Sequence, residues 1–341
     1  MNGLALGVVG ATGQVGSVMR RIVLERGLPI ASVRFFASSR SAGTQLDFDG
    51  TSVEVEDVAT ADPSGLDVAL FSIGASAAER YAPRFAASGC VVVDNSSAFR
   101  MDPAVPLVVA EVNPEAIEAM PKRIVANPNC TTMVAVGALA AIRRVAGLRR
   151  VIASTYQAAS GAGRTGVAEL AAQLSRPGLE ALTFDGKAVD FGTPAVFPAP
   201  LGANVVPLAG SLVGDDTTEE RKFVNESRKI LGMEDLRVGA TCVRVPVFTG
   251  HAVSVVAECE RPVDLAAVRA ALEAAPGLQL ADLPTPLDAA GRDEVLVGRV
   301  RASDVVDNGV AFFVAGDNLR KGAALNAVQL AELVIERGLV G

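Results

Sequence analysis

Leu4-Ala-Leu-Gly-Val-Val-Gly10-Ala-Thr-Gly13-Gln-Val-Gly16 decides the architecture of this chain. Residues 4–9 form the short apolar run expected of a strand buried on both faces. Three evenly spaced glycines follow, and Val18, Met19, Ile22 and Val23 then fall at helical spacing. Strand, glycine loop and helix in this order leave bare backbone against a pyrophosphate at the helix amino end. The spacing is G-x-x-G-x-x-G rather than G-x-G-x-x-G, but it meets the same needs of tight turn, close ligand approach and close helix packing. Gly10 and Gly13 are therefore candidate cofactor contacts in a Rossmann-type domain. A purely structural turn is the alternative.

Outward from this unit, Ser32-Val-Arg-Phe-Phe-Ala37 reads as the second strand and Ser38-Ser-Arg40-Ser-Ala-Gly43 as the loop after it. An enzyme selective for NAD usually carries an acid there to bind the ribose. This loop offers hydroxyls and Arg40, which suit a 2'-phosphate, so NADP is the expected cofactor and a solvated polar loop the alternative. Val68-Ala-Leu-Phe-Ser72, Cys90-Val-Val-Val-Asp94 and Leu107-Val-Val-Ala-Glu-Val112 add further extended segments.

Ile124-Val-Ala-Asn-Pro-Asn-Cys130-Thr-Thr places a cysteine where a strand breaks into a helix. Asn127-Pro128-Asn129 is turn chemistry that a helix does not cross. From Thr131 to Arg144 the apolar residues fall at helical spacing, so the Cys130 thiol lies at the positive end of a helix dipole, where a thiolate is favoured. A small buried hydrophobe is the bland reading of any such cysteine.

After Gly147 the runs lengthen: Arg150-Val-Ile-Ala-Ser-Thr-Tyr-Gln157, Thr241-Cys-Val-Arg-Val-Pro-Val-Phe248 and His251-Ala-Val-Ser-Val-Val-Ala-Glu258. They predict a mostly antiparallel sheet with helices on one face, an α+β domain beside the α/β first domain. The expected division is residues 1–129 plus a C-terminal helix over 319–341, and residues 130–318. The loop Ala158 to Gly166 carries Ser160 and Gly161 and can approach a cofactor or a reacting carbonyl. Pro194 to Pro207 is apolar and poor in charge, more like an interface or buried loop than disorder.

His251 is the only histidine, and a candidate thiol needs a base, although a lone histidine is often structural. Arg244 lies between valines in a strand, where a bidentate carboxylate ligand would justify it and edge snorkelling is the alternative. Thr217 and Glu220 have capping-box spacing, which leaves Glu219 and Lys222 on one helix face; taken alone, that pair reads as a solvated surface pair.

The chain has 341 residues, half of them hydrophobic, a net charge of -7 and a pI near 5.0. Length predicts two domains with real cores. Four scattered cysteines show no C-x-x-C or zinc spacing, so neither disulfides nor metal are expected. Met1-Asn-Gly-Leu enters the first strand without a charged leader, and no apolar run approaches the ~20 residues of a membrane span. Cytoplasmic location follows as the expectation. Acidic charge without basic blocks argues against nucleic acid as a partner.

Gly10-Ala-Thr-Gly-Gln-Val-Gly, Asp94-Asn-Ser-Ser-Ala-Phe-Arg, Asn127-Pro-Asn-Cys-Thr-Thr, Tyr156-Gln157, Arg244-Val-Pro-Val and Gly250-His251 occur in one order. Together they resemble, nearly end to end, the bacterial aspartate-β-semialdehyde dehydrogenases. The resemblance implies a homodimer that reduces L-aspartyl-4-phosphate with NADPH to aspartate semialdehyde and phosphate, on the route to lysine, methionine and threonine. It implies Cys130 as nucleophile, His251 as general acid/base and Gln157 as the residue that orients substrate. Arg244 would hold the α-carboxylate and Glu219 the α-amino group, with Arg100, Asn129 and Lys222 around phosphate. Thr12, Gly13, Gln14, Val15, Arg40, Ser41, Ser160, Gly161 and Asn318 would surround NADP. Two alternatives stand beside this reading. One is an N-acetyl-γ-glutamyl-phosphate reductase, which would not want an acid for a free amine. The other is a catalytically silent NADP-binding regulatory module.

Overall fold

The structure, a computed structural model, describes residues 3–340. Met1 and Asn2, read above as leading into the first strand, and Gly341 lie outside the described residues. The chain divides into two compact units, one of residues 1–129, 229–233 and 320–341, the other of residues 130–228 and 234–319.

The first unit begins β1 (Leu4–Val9), α1 (Gln14–Glu25) and β2 (Ile30–Ala37), followed by the hairpin of β3 (Gln45–Phe48) and β4 (Thr51–Asp57). It continues with β5 (Val68–Phe71), α2 (Ala75–Ala87), β6 (Val91–Asp94) and β7 (Ile124–Ala126). The sheet order is β3-β4-β2-β1-β5-β6-β7, parallel except for the hairpin. β5, β6 and β7 are buried along their whole length, as strands covered on both faces must be. Phe36, Phe71 and Phe85 pack edge to face, with centroids 5.3 and 5.0 Å apart, pinning α2 to the sheet.

The glycine spacing of the first loop has a steric cause. Gly10 has φ +87°, and a Cβ there would lie 2.2 Å from Ser72 O; a Cβ on Gly16 would lie 2.2 Å from Gly10 O. Gly10 and Gly16 thus close the loop onto β5 and onto itself. Gly13 would meet only Gly10 O, at 3.1 Å.

Leu107 to Val112 is not a strand. Only Leu107 forms a bridge, to Ala126, and the chain then turns because Asn113 takes the Val109 N–H on its side-chain oxygen at 2.9 Å. The C-terminal segment starts with a π-helical stretch, Arg320–Leu325, and continues as α8 (Asn326–Glu336) after the second unit's elements. Asn326, fully buried, donates to Val108 O and to Asn127 Oδ1 and accepts from Ala110 N, which ties α8 to the first unit.

The second unit contains α3 (Cys130–Ala146), β8 (Arg150–Gln157), α4 (Gly163–Leu174), a short hairpin of β9 (Leu212–Val213) and β10 (Asp216–Thr217), and the start of α5 (Thr218–Leu231). β11 (Arg237–Arg244), β12 (His251–Glu258), α6 (Leu265–Glu273), β13 (Leu278–Leu280), α7 (Pro286–Ala289), β14 (Val295–Ser303) and β15 (Gly309–Gly316) complete it. The sheet runs β11-β8-β12-β15-β14-β13, with the three central pairings antiparallel and the two outer ones parallel. Helix α3 packs on β12 and β15. β8 alternates strictly: Val151, Ala153, Thr155 and Gln157 are buried, whereas Ile152, Ser154 and Tyr156 stand exposed on the opposite face.

The proline-rich loop packs rather than frays. Phe197, Leu201 and Val206 form a small core with Leu170 of α4, and the buried Gln173 side chain accepts from Leu201 N and Gly202 N. Among the described residues, no helix is long and apolar enough to cross a membrane.

Candidate active site

Strand direction gathers the site of the second unit. β8 and β11 are parallel and place Gln157 opposite Arg244 at their carboxyl ends. β12 runs antiparallel to β8, with Ala252 opposite Tyr156, so His251 enters at the same end. Three strands, of which β11 and β12 are consecutive in sequence and β8 distant, thereby bring an amide, a guanidinium and an imidazole to one end of the sheet.

Helix α5 supplies the carboxylate. Thr217 Oγ1 accepts from Glu220 N at 3.2 Å, and Glu220 Oε2 accepts from Thr217 N at 2.7 Å, the reciprocal capping box its spacing predicts. Glu220 Oε1 also accepts from Cys242 N. Glu220 is committed to backbone, and Glu219 is the acid that faces the site. Its Oε1 accepts from Lys222 Nζ at 2.7 Å and its Oε2 from Gln157 Nε2 at 3.1 Å. Burial opposes the charge on Glu219, but Lys222, Arg244 and the Gln157 bond outweigh it and hold the carboxyl down at about 2. Glu219 is an anion at neutral pH.

His251 has no exposed surface. Its Nδ1 accepts from Ala158 N–H at 3.0 Å, so the proton of the neutral ring sits on Nε2, a buried atom without a hydrogen-bond partner among the described residues. Burial first, and the Arg244 charge second, push the ring down to about 3, against the pull of Glu219. The arrangement makes His251 a neutral donor through Nε2–H; taking up a proton from the thiol would require the ring to give up Ala158. Arg244 Nη1 donates to Ala158 O at 3.0 Å, so the backbone of one residue holds both side chains. Gly161 lies against the pair: a Cβ there would be 2.6 Å from Arg244 Nη1 and 3.1 Å from His251 Cε1 and Nε2.

Ser160 and Asn318 exchange hydrogen bonds at 2.9 and 3.1 Å, and Asn318 Oδ1 also accepts from Gly250 N at 2.9 Å, fixing the turn that delivers His251. Ser160 N donates to Phe248 O, which closes the same loop from the other side.

Cys130 is the first residue of α3 and is half-buried, so the thiol has a helix amino end beneath it. Burial pushes the other thiols up, Cys90 and Cys242 to about 12 and Cys259 to about 11. No disulfide joins the cysteines.

In the first unit, Arg100 is buried at the carboxyl ends of β6 and β7, donating from Nε to Asn127 O at 2.9 Å and from Nη2 to Asn95 O at 2.7 Å. Asn129 is buried as well. Lys229, absent from the sequence reading, donates to Arg100 O, Asp102 O and Val105 O and braces that loop. Thr12 to Val15 are partly exposed around the amino end of α1. Gly13, the N-cap, brings no capping side chain, and the first turn has no acid, so the helix donors are left for an anion. Gln14 Oε1 is buried without a hydrogen-bond partner among the described residues. These residues fit a dinucleotide pyrophosphate. Arg40 is exposed and Ser41 partly so, just beyond the carboxyl end of β2.

Thr155 and Ala158 were not singled out from sequence, yet they orient Gln157, His251 and Arg244. The two-residue alternation of β8, which puts Thr155 and Gln157 on one face, is the signal that could have found Thr155.

Residues 5–120 match the semialdehyde dehydrogenase NAD binding domain, and residues 139–321 the semialdehyde dehydrogenase dimerisation domain. Fold and site thus define a semialdehyde dehydrogenase with a Rossmann-type, nicotinamide-dinucleotide-binding domain. The aspartate-semialdehyde dehydrogenase of Streptomyces akiyoshiensis is 55% identical over 336 residues, covering 97% of this chain and 98% of that protein. That of Mycolicibacterium smegmatis is 54% identical over 340 residues, covering 96% and 98%. Among solved structures, aspartate semialdehyde dehydrogenase II of Vibrio cholerae complexed with ASA superposes with a TM-score of 0.91 at 40% identity, over 98% of this chain and 99% of that one. The chain belongs to the aspartate-semialdehyde dehydrogenase family.

Proposed function

We propose that this chain reduces L-aspartyl 4-phosphate to L-aspartate 4-semialdehyde and phosphate, using NADPH and an acyl thioester on Cys130. The observation that carries this reading is the charge arrangement at that end of the sheet: an ionised Glu219 and the Arg244 guanidinium flank Gln157 and His251. A free amino acid presents the complementary pair, with its ammonium for Glu219 and its carboxylate for Arg244. The N-acylated alternative has no ammonium to offset the buried Glu219 charge.

Cys130 thiolate attacks the acyl carbon, the C–S bond forms and the C–O bond to phosphate breaks. Arg100, Asn129 and Lys222 are the proposed holders of the departing phosphate. NADPH, when bound, supplies the hydride for the thioester carbon. The resulting thiohemiacetal oxyanion needs donors, and His251 Nε2–H is oriented as one, with N–H groups at the start of α3 as further candidates. Collapse of the thiohemiacetal releases the semialdehyde and returns the thiolate. Gly10, Thr12, Gly13, Gln14 and Val15 would take the pyrophosphate and Arg40 with Ser41 the 2'-phosphate. Ser160, Gly161 and Asn318 keep the cofactor role that the family resemblance implies. A homodimer accords with the dimerisation-domain match and with the uncovered face of the six-stranded sheet, where Ile152 and Tyr156 are 47% and 39% exposed beside Phe313.

The test runs the reaction backwards. Aspartate semialdehyde, NADP and phosphate should yield NADPH, with turnover dependent on phosphate. Activity with N-acetylglutamate semialdehyde alone would reject the substrate assignment, and phosphate-independent turnover would reject the acyl phosphate.

A further inference from the structure

Gln157 can present either a carbonyl oxygen or an NH2 to a ligand, and the buried groups around its amide decide which. Thr155 and Gln157 are both fully buried on the same face of β8. Thr155 Oγ1 accepts from Val243 N–H at 3.2 Å and donates its proton to Gln157 Oε1 at 3.0 Å. The amide nitrogen therefore faces Glu219 Oε2, at 3.1 Å. Turning the amide over would set its carbonyl oxygen against a buried carboxylate and forfeit the bond from Thr155 Oγ1 to Oε1. The Glu219 carboxylate, which can only accept, sets the orientation, and the Thr155 hydroxyl holds it by donating to Oε1. With Oε1 occupied and one N–H on Glu219, the second N–H is what Gln157 has left to offer.

We propose that Thr155 is a positioning residue: its hydroxyl, together with the Glu219 carboxylate, holds the Gln157 amide so that Gln157 gives an N–H donor, not an acceptor, to the oxygens of the substrate. This rests on the functional reading above and adds a specificity element to it. A donor at this place selects acceptor oxygens, such as the acyl oxygen or carboxylate of an acidic amino-acid derivative.

The experiment compares Thr155→Val, which keeps the branched shape without the hydroxyl, with Thr155→Ser, which restores it, in the reverse reaction. Thr155→Val should lower kcat/KM for aspartate semialdehyde about tenfold, the rate equivalent of one lost hydrogen bond. KM for NADP should be unchanged, and Thr155→Ser should recover to within about twofold of wild type. In a Gln157→Ala background, Thr155→Val should cost nothing further, because its action passes through Gln157. Thr155→Ala serves as a second hydroxyl deletion should the valine variant fold poorly, with melting temperature checked for each. An equal loss with and without Gln157, or unchanged kcat/KM in an active enzyme, overturns the proposal alone. A wild type inactive on aspartate semialdehyde removes the functional reading and the proposal with it.

Discussion

Gly161→Ala tests the site where it is tightest. The backbone of Gly161 lies outside the left-handed region, so alanine brings no conformational strain and the effect is purely one of space. The new methyl would lie 2.6 Å from Arg244 Nη1, where ordinary contact begins at 3.4 Å, so the guanidinium has to withdraw by about 0.8 Å. The 3.0 Å bond from Nη1 to Ala158 O does not survive such a move. His251, at 3.1 Å, need give only a few tenths of an ångström. A hydrogen bond to a charged group is worth about 1.5–3 kcal/mol, which as a barrier is roughly 10- to 150-fold in kcat/KM. The loss should appear in use of the semialdehyde, since Arg244 is the proposed carboxylate ligand. Gly186→Ala, where a Cβ would meet nothing within 4 Å, is the matched control and should leave the kinetics alone. The assay is NADPH formation from aspartate semialdehyde, NADP and phosphate, with melting temperature measured in parallel. A Gly161→Ala enzyme within twofold of wild type would refute the claim that bare backbone at this position keeps Arg244 in place.

Alkylation of the folded protein at neutral pH should label Cys130 first, because burial holds the other thiols up at about 11 to 12; peptide mapping that finds Cys90, Cys242 or Cys259 labelled ahead of it would contradict this. Cys130→Ala should abolish turnover while leaving NADP binding intact, and substantial residual activity would remove the thioester. Arg40→Ala should weaken NADPH far more than NADH, and equal use of both cofactors by the wild type would show that the loop after β2 does not read the 2'-phosphate. The pH dependence of stability follows from His251, whose folded pKa of about 3 lies below its ordinary 6.5. The unfolded chain then takes up a proton that the folded one refuses, so stability is full above pH 6.5 and declines as pH falls toward 3. His251→Gln should lose less melting temperature than wild type between pH 7 and 5, whereas parallel declines would mean that the ring is not held neutral.

What could be read from the sequence was whatever is local. The glycine loop, the strand-to-helix break before Cys130 and the Thr217–Glu220 capping box each span a few residues, so spacing alone carries the geometry. Leu107 to Val112 shows the limit of that signal. Its apolar composition suits a strand, but Asn113 captures the Val109 N–H, and the chain turns away. The contacts that orient the catalytic groups join residues far apart: Ala158 to His251 spans 93 positions, and Gln157 to Glu219 spans 62. They exist only because β8, β11 and β12 meet in one register. Gln157 entered the reading through family resemblance alone, and Thr155 and Lys229 did not enter at all.

Arg244 connects these observations. Its charge favours the deprotonated form of both titratable groups beside it, which for Glu219 is the anion and for His251 the neutral ring. A neutral imidazole with its proton on Nε2 cannot form an ion pair with a thiolate. The amino end of α3, a fixed dipole that does not titrate, favours the thiolate that the proposed mechanism asks of Cys130. Glu219 and His251 thus keep their charge states across neutral pH. In the proposed mechanism the Nε2 proton is then available to the oxyanion that develops on the substrate.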